Sequence, residues 1–339
     1  MTPDHLLRTS LWLCEGLPGQ LFTMAGDDAW DVVDQLIAGP LRVRDGRVQP
    51  ALWLDPDGRP LADLVILRDR DEFTLSVDAR LGFEPAPALL AMAAPSGARL
   101  RPRDELVRVG IHGPFAWEAA TAVFGPAVVG VPFQTALELP DGEWLVRTST
   151  TGEFGYELWA RPASAARYVL GLRDAAVVLG IWDRDQGVTS AKVASAVLDR
   201  AALENGHFCV RHGGVSDLTA AELQLLHRVD PAKRTVRAPD RLVVWITGDA
   251  DATPGSELLI GGSERVGRVL HRDRSPVLGE VLGLALVDAS IAWPGVVLTT
   301  PEGHRVETAS PPFIDNRSLS VEPQRHRAAN TPEWGPWRR

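Results

Sequence analysis

The chain has 339 residues, enough for two or three domains and a sizeable core. Its content of 45% hydrophobic and 23% charged residues is typical of a soluble globular protein. The net charge of −9 and the isoelectric point near 5.4 argue against a general binder of polyanions, and we therefore expect no nucleic-acid partner.

The cysteines and the apolar segments further limit the class of protein. Two cysteines cannot by themselves make a disulfide framework or a zinc site. The amino terminus has no basic region followed by a long apolar core, which predicts no secretory signal. The most apolar stretch, 277–298, is interrupted by Glu280, Asp288 and Pro294, so it indicates buried strands and not a membrane span. We expect a cytoplasmic protein with no membrane partner.

The first part of the chain mixes helical and strand patterns. The helices predicted from apolar spacing and a proline start are 29–37, 85–94 and 116–123. The strands predicted from alternating or apolar runs are 48–54, 64–67, 72–77 and 106–111. Helices combined with antiparallel strand pairs predict an α+β domain.

The second part changes character near residue 241. Before that point the predicted helices are 163–179, 189–203 and 217–226. After it, six short strands with glycine turns predict a separate small β-barrel or sandwich; they are 242–246, 257–260, 266–270, 281–287, 295–298 and 304–308. The segment 321–339 is rich in Pro, Arg and Asn, which predicts a flexible tail.

The most informative segment is a polar corner between two strand patterns, 144–147 and 156–159. Two carboxylates, Glu153 and Glu157, flank this corner, and Glu157 lies inside an aromatic run. An acid placed there either faces water or binds something, because an unpaired buried carboxylate is very unfavourable. The plain interpretation is a hairpin with a solvated glutamate, since the glycine-rich sequence is turn-like.

This corner carries a resemblance to a known family. The segment reads Thr151-Gly152-Glu153-Phe154-Gly155-Tyr156-Glu157. It resembles the end of the Arg-Thr-Gly-Tyr-Thr-Gly-Glu-x-Gly-Tyr-Glu signature of the glycine-cleavage T-protein (aminomethyltransferase) family, whose full length corresponds to residues 147–157. Further segments resemble the same family in the same order, namely 57–66, 73–79, 109–116, 266–269 and 275–287. The similarity extends from about residue 20 to residue 320.

The resemblance implies an α+β, three-domain cloverleaf around a folate channel, with two ferredoxin-like or Greek-key α+β domains and a C-terminal β-barrel. We assign 1–20 plus 119–238 to a discontinuous folate-binding domain and 21–118 to a middle domain. Residues 239–320 then form the barrel and 321–339 the tail. A local basic cleft for a folate tail remains compatible with the acidic net charge.

The resemblance also implies site residues for tetrahydrofolate or a one-carbon derivative of it. Glu157 would accept two adjacent N–H groups of the pterin ring. Asp63, at a turn before a strand, would be the catalytic carboxylate that orients the reacting ring nitrogen; the alternative is that it only caps the turn. The weaker cofactor-binding assignments are Glu153, Tyr156, Arg184 and Arg200.

Several positions depart from the family pattern. Ala62 replaces the first aspartate of an Asp-Asp pair, Thr150 replaces a tyrosine of the corner, and Asp315 replaces a late arginine. These changes indicate altered substrate choice, weaker folate binding or no catalysis. We predict a tetrahydrofolate-dependent one-carbon transferase acting on a small molecule, with a carrier protein less favoured. The alternatives are a non-catalytic folate-binding or scaffold protein and a folate-dependent O-, S- or N-demethylase.

One further cluster could hold a metal ion. His207, Cys209 and His212 are residue types that bind zinc, but no fourth ligand follows at a convincing spacing. We interpret them as core and loop residues, and we predict no metal site.

Overall fold

A computed structural model describes residues 1–234, 237–323, 325–331 and 337–338. It confirms the α+β class, with two five-stranded antiparallel sheets and a closed six-stranded barrel. The α-helices are α1 (Pro3–Thr9), α2 (Ala29–Leu36), α3 (Pro85–Ala93), α4 (Ala116–Phe124), α5 (Pro162–Val178) and α6 (Ala191–Glu204). Short 3-10 helices span Pro126–Gly130, Pro140–Gly142, Leu226–Arg228, Ala289–Ile291 and Arg317–Ser320.

The described residues contain eighteen strands. The first ten are β1 (Trp12–Glu15), β2 (Gln20–Ala25), β3 (Val48–Leu54), β4 (Pro60–Asp69), β5 (Glu72–Ala79), β6 (Arg99–Pro102), β7 (Val107–His112), β8 (Thr135–Leu139), β9 (Glu143–Arg147) and β10 (Gly155–Ala160). The remainder are β11 (Arg241–Gly248), β12 (Glu257–Ile260), β13 (Glu264–Arg274), β14 (Val281–Asp288), β15 (Val297–Thr299), β16 (Arg305–Ala309), β17 (Ile314–Asp315) and β18 (Trp337–Arg338).

The first sheet is discontinuous in sequence, with strand order β1-β7-β10-β9-β8. Helices α4 and α5 pack on it around a core that includes Leu13, Ile111, Leu145 and Leu158. Because β7 lies in this sheet, the sheet resumes at residue 107, whereas we predicted residue 119. The segment 107–118, predicted for the middle domain, thus supplies an interior strand and the first turn of helix α4 to the discontinuous unit.

The second sheet has strand order β3-β4-β5-β2-β6 and holds the middle unit together. One of its faces is covered by α2 and α3, whose apolar residues pack with Met24, Trp53 and Leu64. The hairpin of β4 and β5 places Asp63 directly opposite Asp78. Successive residues of a strand face opposite sides of a sheet, so Ala62 is buried in this core while Asp63 faces the other way.

The third unit is the closed barrel, with strand order β11-β14-β13-β12-β15-β16. All six strands predicted after residue 241 are present, and their inward residues form a core that includes Ile246, Leu258 and Val306. A barrel has no exposed strand edge, which explains why such short strands are stable together.

The segment 217–226 is the one predicted helix that does not form. A single turn begins at Thr219, whose backbone oxygen accepts from the Leu223 amide at 3.0 Å. Gln224 then adopts a φ of 59°, and the Leu225 amide returns to the Ala220 oxygen at 2.8 Å. A left-handed residue followed by such a bond ends a helix, so the segment becomes a turn that lines the cavity described below.

The predicted tail, 321–339, includes residues 324, 332–336 and 339, which lie outside the described residues. Its described part contacts the discontinuous unit: the Ala328 amide donates to the Glu118 carboxylate at 3.0 Å. The β17–β18 pair is formed with the end of the tail. In the described chain, no helix is both long enough and apolar enough to cross a membrane.

Candidate functional site

A cavity of about 340 Å³ lies where the three units meet, and we call it the central cavity. The middle sheet contributes Asp63 and Asp78, and the discontinuous sheet contributes Arg108 and Glu157. The segment 206–228 forms a third side, and the barrel contributes Trp245 of β11. Ligand sites are commonly found in such clefts between domains.

Glu157 lies on β10 and is buried against a cation. Its Oε2 accepts from Arg108 Nη2 at 2.7 Å and Nε at 3.2 Å, and from Trp159 Nε1 at 3.0 Å. Burial alone would raise the pKa of Glu157, but Arg108 and the indole hold it below its usual value. Within the described chain, Oε1 has no hydrogen-bond donor. The glutamate is therefore neither solvated nor fully paired.

Asp63 lies on β4, in the part of the cavity wall that the middle sheet provides, whereas Glu157 comes from the discontinuous sheet. Its Oδ1 contacts Arg228 Nη2 at 2.8 Å, and its Oδ2 accepts from the Val210 amide at 3.3 Å. Both contacts come from residues distant in the chain, and neither closes a turn. Asp63 thus joins the middle sheet to the segment that forms the third side of the cavity.

Asp78 also lines the cavity, and the sequence reasoning assigned it no role. Burial raises the pKa of Asp78 to about 6; Arg211 and Arg108 oppose that rise, and Asp63 adds to it. Arg211 Nε lies 2.9 Å from Asp78 Oδ2. A signal was available in the sequence: a hairpin turning at 70–71 places residue 78 opposite residue 63.

His112 is a second cavity residue that the sequence reasoning did not assign. It is buried and stacks on Trp12, with ring centres 5.5 Å apart. A Cβ added to Gly110 or Gly155 would lie 2.5 Å from one of its ring nitrogens, so both glycines are needed for the ring to lie on the sheet. Burial lowers the pKa of His112 to about 4, and the imidazole is therefore neutral at pH 7.

Four predicted cofactor residues, Glu153, Tyr156, Arg184 and Arg200, do not line the central cavity. Glu153 is buried in a network with Arg8, Asn205 and Ser318, where Asn205 Nδ2 donates at 3.0 Å. This network joins α1, α6 and the segment after the barrel.

The other three predicted residues have separate surroundings. Tyr156 packs in the core against Phe154, with ring centres 5.6 Å apart, and burial raises its pKa to about 12. Arg184 is exposed. Arg200 pairs with Asp4 at 2.8 Å and with Asp273 at 3.3 Å.

The structure brings together a different set of possible metal ligands from the one considered in the sequence. Asp199, Cys209 and His212 have potential ligand atoms within 4.8 Å of one another, whereas His207 is not part of this group. Arg211 Nη2 lies 2.9 Å from Asp199 Oδ1 and compensates its charge. Cys209 is buried, and that burial raises the pKa of its thiol well above the ordinary value. His207 instead lies at the central cavity.

The architecture and the site define a class: an α+β protein of two five-stranded sheets and a barrel, with a carboxylate-containing cavity between them. Residues 5–231 match the family described as the GCVT N-terminal domain, which is about two thirds of the chain. The protein belongs to this family, that of the glycine-cleavage T-protein, as the sequence resemblance implied.

Individual relatives agree with this assignment. The aminomethyltransferase of Streptomyces coelicolor is 24% identical over 304 residues, covering 80% of this chain and 77% of that protein. The aminomethyltransferase of Bacillus subtilis is 25% identical over 292 residues, covering 81% and 79%. The glycine cleavage system aminomethyltransferase T of Bartonella henselae superposes with a TM-score of 0.76 at 19% identity, covering 92% and 89%. The last comparison shows that the cloverleaf fold is shared.

Proposed function

We propose that this protein is a tetrahydrofolate-dependent one-carbon transferase that acts on a small molecule. One observation carries the proposal: Asp63 and Glu157, both assigned from the sequence resemblance, line the same cavity between the three units. The family and the names of its aminomethyltransferase relatives support the same conclusion.

The cavity fits the ring of a folate with one change to the expected contact. Its volume of about 340 Å³ lies within the range of small-molecule sites, and its wall includes apolar residues such as Leu64, Val65 and Leu198. Arg108 and Trp159 already occupy Oε2 of Glu157, so only Oε1 remains for a pterin N–H group. We therefore propose a contact through one oxygen in place of the two-oxygen fork.

When bound, tetrahydrofolate supplies a ring amine that carries the one-carbon group. Asp63 would orient the reacting group, and Arg228 holds its Oδ1 in place at 2.8 Å. Asp78 changes protonation state near neutral pH, so it can hold or release a proton at the cavity wall. Burial is the main cause of this raised pKa; Arg211 opposes it and the opposite Asp63 adds to it.

The cavity also supports a substrate other than the glycine-cleavage intermediate. Thr148, Ser149 and Thr150 give it a wall of hydroxyl-bearing residues where the family signature has a tyrosine. The replacement at Ala62 has less effect on the cavity, because Ala62 is buried on the opposite face of the sheet. We infer that the changed wall alters which one-carbon donor or acceptor fits beside the folate.

The experiment is calorimetric titration of the protein with tetrahydrofolate and its 5-formyl analogue. Saturable micromolar binding supports the folate site, and Glu157→Ala should weaken it by about 1.5–3 kcal/mol, the value of one charge-assisted hydrogen bond. Glu138→Ala, at an exposed position outside the cavity, is the matched control. The absence of binding would overturn the proposal.

Turnover is then tested by incubating the protein and tetrahydrofolate with a panel of N-, O- and S-methyl compounds. Mass spectrometry follows the formation of methyl-folate together with the demethylated compound. Transfer of the methyl group from any of them supports a one-carbon transferase, in the form of the demethylase alternative. Folate binding with no turnover of any of these compounds would favour the non-catalytic alternative.

A further inference from the structure

Three side chains of metal-binding type lie together at the edge of the central cavity. Asp199 of α6, Cys209 and His212 each offer one potential ligand atom, and these atoms lie within 4.8 Å of one another. Cys209 and His212 are buried, whereas Asp199 is partly exposed. Cys209 also lines the central cavity, while Asp199 and His212 do not. We call these three residues the Asp-Cys-His group.

The backbone brings Cys209 and His212 together. The His212 amide donates to the Cys209 oxygen at 3.0 Å, which closes a turn over residues 209–212. A β-turn holds its first and last residues close together. The turn is also fixed to the middle sheet, since the Val210 amide donates to Asp63 Oδ2 at 3.3 Å. Two ligands separated by two residues have the short spacing that is common in zinc sites.

His212 provides the observation that points to a ligand. The residue is only 4% exposed, and its Nε2 lies 3.4 Å from the backbone oxygen of Asp199. That oxygen can only accept, so Nε2 carries the proton and Nδ1 carries a lone pair. Nδ1 is buried and has no hydrogen-bond partner among the described residues, which is unfavourable. A histidine that binds a metal commonly donates its other N–H group to a backbone carbonyl in this way.

The barrel holds the ring of His212 in its orientation. His271 of β13 stacks on this ring, with ring centres 4.9 Å apart and 13° between the two planes. An ion bound in the plane of the His212 ring therefore lies outside the plane of the His271 ring. His271 is thus a positioning residue and not a second imidazole ligand. The contact connects the barrel to the turn at 209–212.

The charges around the group favour a cation. Arg211 is shared between two carboxylates, with 2.9 Å from Nε to Asp78 Oδ2 and 2.9 Å from Nη2 to Asp199 Oδ1. Arg200, the next residue of α6, is likewise shared between a carboxylate of α1 and one of β13. The carboxylates therefore outnumber the guanidinium groups. Arg211 approaches Asp199 through Oδ1, and the described part of the chain gives Oδ2 no hydrogen-bond donor.

We propose that the Asp-Cys-His group binds one divalent cation of the zinc type. Thiolate sulfur, imidazole nitrogen and carboxylate oxygen are all zinc ligands, whereas Mg²⁺ and Ca²⁺ prefer oxygen alone. The thiol of Cys209 releases its proton to solvent as the cation binds. Three protein ligands leave the fourth tetrahedral position to a water molecule. The bound cation ties α6 to the segment 206–228, and it does not depend on the proposed folate function.

The test uses the full chain, freed of metal by a chelator and then titrated with ZnCl₂ by calorimetry and with CoCl₂ by absorption spectroscopy. We expect one equivalent of Zn²⁺ per chain, a thiolate-to-cobalt charge-transfer band, and a higher melting temperature with Zn²⁺. Cys209→Ser should abolish the cobalt band. His212→Asn and Asp199→Asn should weaken Zn²⁺ binding by at least the roughly 10–100-fold that loss of an outer partner of a metal site costs.

The matched controls are Cys14→Ser and His207→Asn, which change the other cysteine and a nearby histidine outside the group. Both should keep Zn²⁺ binding and the cobalt band. The absence of saturable Zn²⁺ binding to the folded wild-type chain overturns the proposal. Binding that Cys209→Ser and His212→Asn leave unchanged also overturns it, because the cation then lies elsewhere. Asp199→Asn, at a side chain 23% exposed, provides a ligand variant with little effect on packing.

Discussion

Glu153 and Glu157 lie four residues apart in one signature, are both buried, and have different surroundings. Glu153 contacts Arg8, Asn205 and Ser318, which come from three separate parts of the chain. Glu157 contacts Arg108 and lines the central cavity. Burial therefore does not distinguish a carboxylate that joins elements from one that can meet a ligand. The two carboxylates are distinguished by where the residues that contact them lie.

Local geometry explains the difference. Glu157 is in a regular strand, paired with Val146 on one side and Gly110 on the other, so its side chain must face one side of the sheet. Glu153 lies in the corner before that strand, where the backbone is free to turn its side chain towards α1. The following predictions test this division between a connecting and a cavity-lining carboxylate.

The largest expected effect is on stability, from Glu153→Ala. This change removes a buried carboxylate and leaves Arg8 with one fewer partner, which should lower the free energy of unfolding by about 3–5 kcal/mol. Urea denaturation measures it. Ser318→Ala removes a hydroxyl that donates to Glu153 and accepts from the Phe154 amide, and it should lower the free energy of unfolding by about 1–2 kcal/mol. If Glu153→Ala lowered the free energy of unfolding by less than Ser318→Ala does, the network around Glu153 would not join the units.

Asp63→Asn should act on the reaction. With a donor identified in the turnover screen, kcat should fall by about 100-fold or more, since a positioned carboxylate is lost. The unfolding free energy should change by less than about 1 kcal/mol, because the ion pair with Arg228 is partly exposed. Steady-state kinetics and urea denaturation separate these effects. Asp57→Asn, at a side chain 71% exposed, serves as the control. An unchanged kcat would exclude Asp63 from the reaction.

Asp78 should make stability depend on pH in an unusual direction. The pKa of this carboxyl is raised from 3.8 to about 6, so the folded state keeps the proton after the unfolded state has released it. Its contribution to stability is present below pH 4 and is lost as pH rises to 6, by about 2–3 kcal/mol. The difference in unfolding free energy between the protein and Asp78→Asn, measured from pH 4 to 7, should show this decline. A flat difference would contradict the burial of Asp78.

The smallest expected effect comes from Glu157→Gln. The amide keeps an oxygen for the ligand but loses the negative charge, so folate affinity should fall about tenfold, or about 1.4 kcal/mol. Titration calorimetry of the folded variant measures this change. Glu153→Gln, tested in the same way, should leave affinity unchanged. If Glu153→Gln weakened folate binding as much as Glu157→Gln, the division between the two carboxylates would fail.

The sequence predicted much of the fold because its patterns are local. The six barrel strands alternate with glycine turns, and each could be recognised alone. The helix predicted at 217–226 failed because the backbone of Gln224, at a φ of 59°, ends it after one turn. Within the site, the hairpin register could have paired Asp63 with Asp78. Nothing local in the sequence could have paired Glu157 with Arg108, which depends on two strands becoming neighbours.

The sequence by itself determined the fold class and the family, and it predicted two carboxylates that line the central cavity, Asp63 and Glu157. It could do so because motif residues and alternating patterns are properties of short segments. Only the tertiary structure decided which carboxylates face the cavity and which arginines neutralise them. Arg108, Arg211 and Arg228 reach Glu157, Asp78 and Asp63 through contacts between strands and loops far apart in the chain. The electrostatics of the site arise from packing, since charges interact through space and not along the sequence.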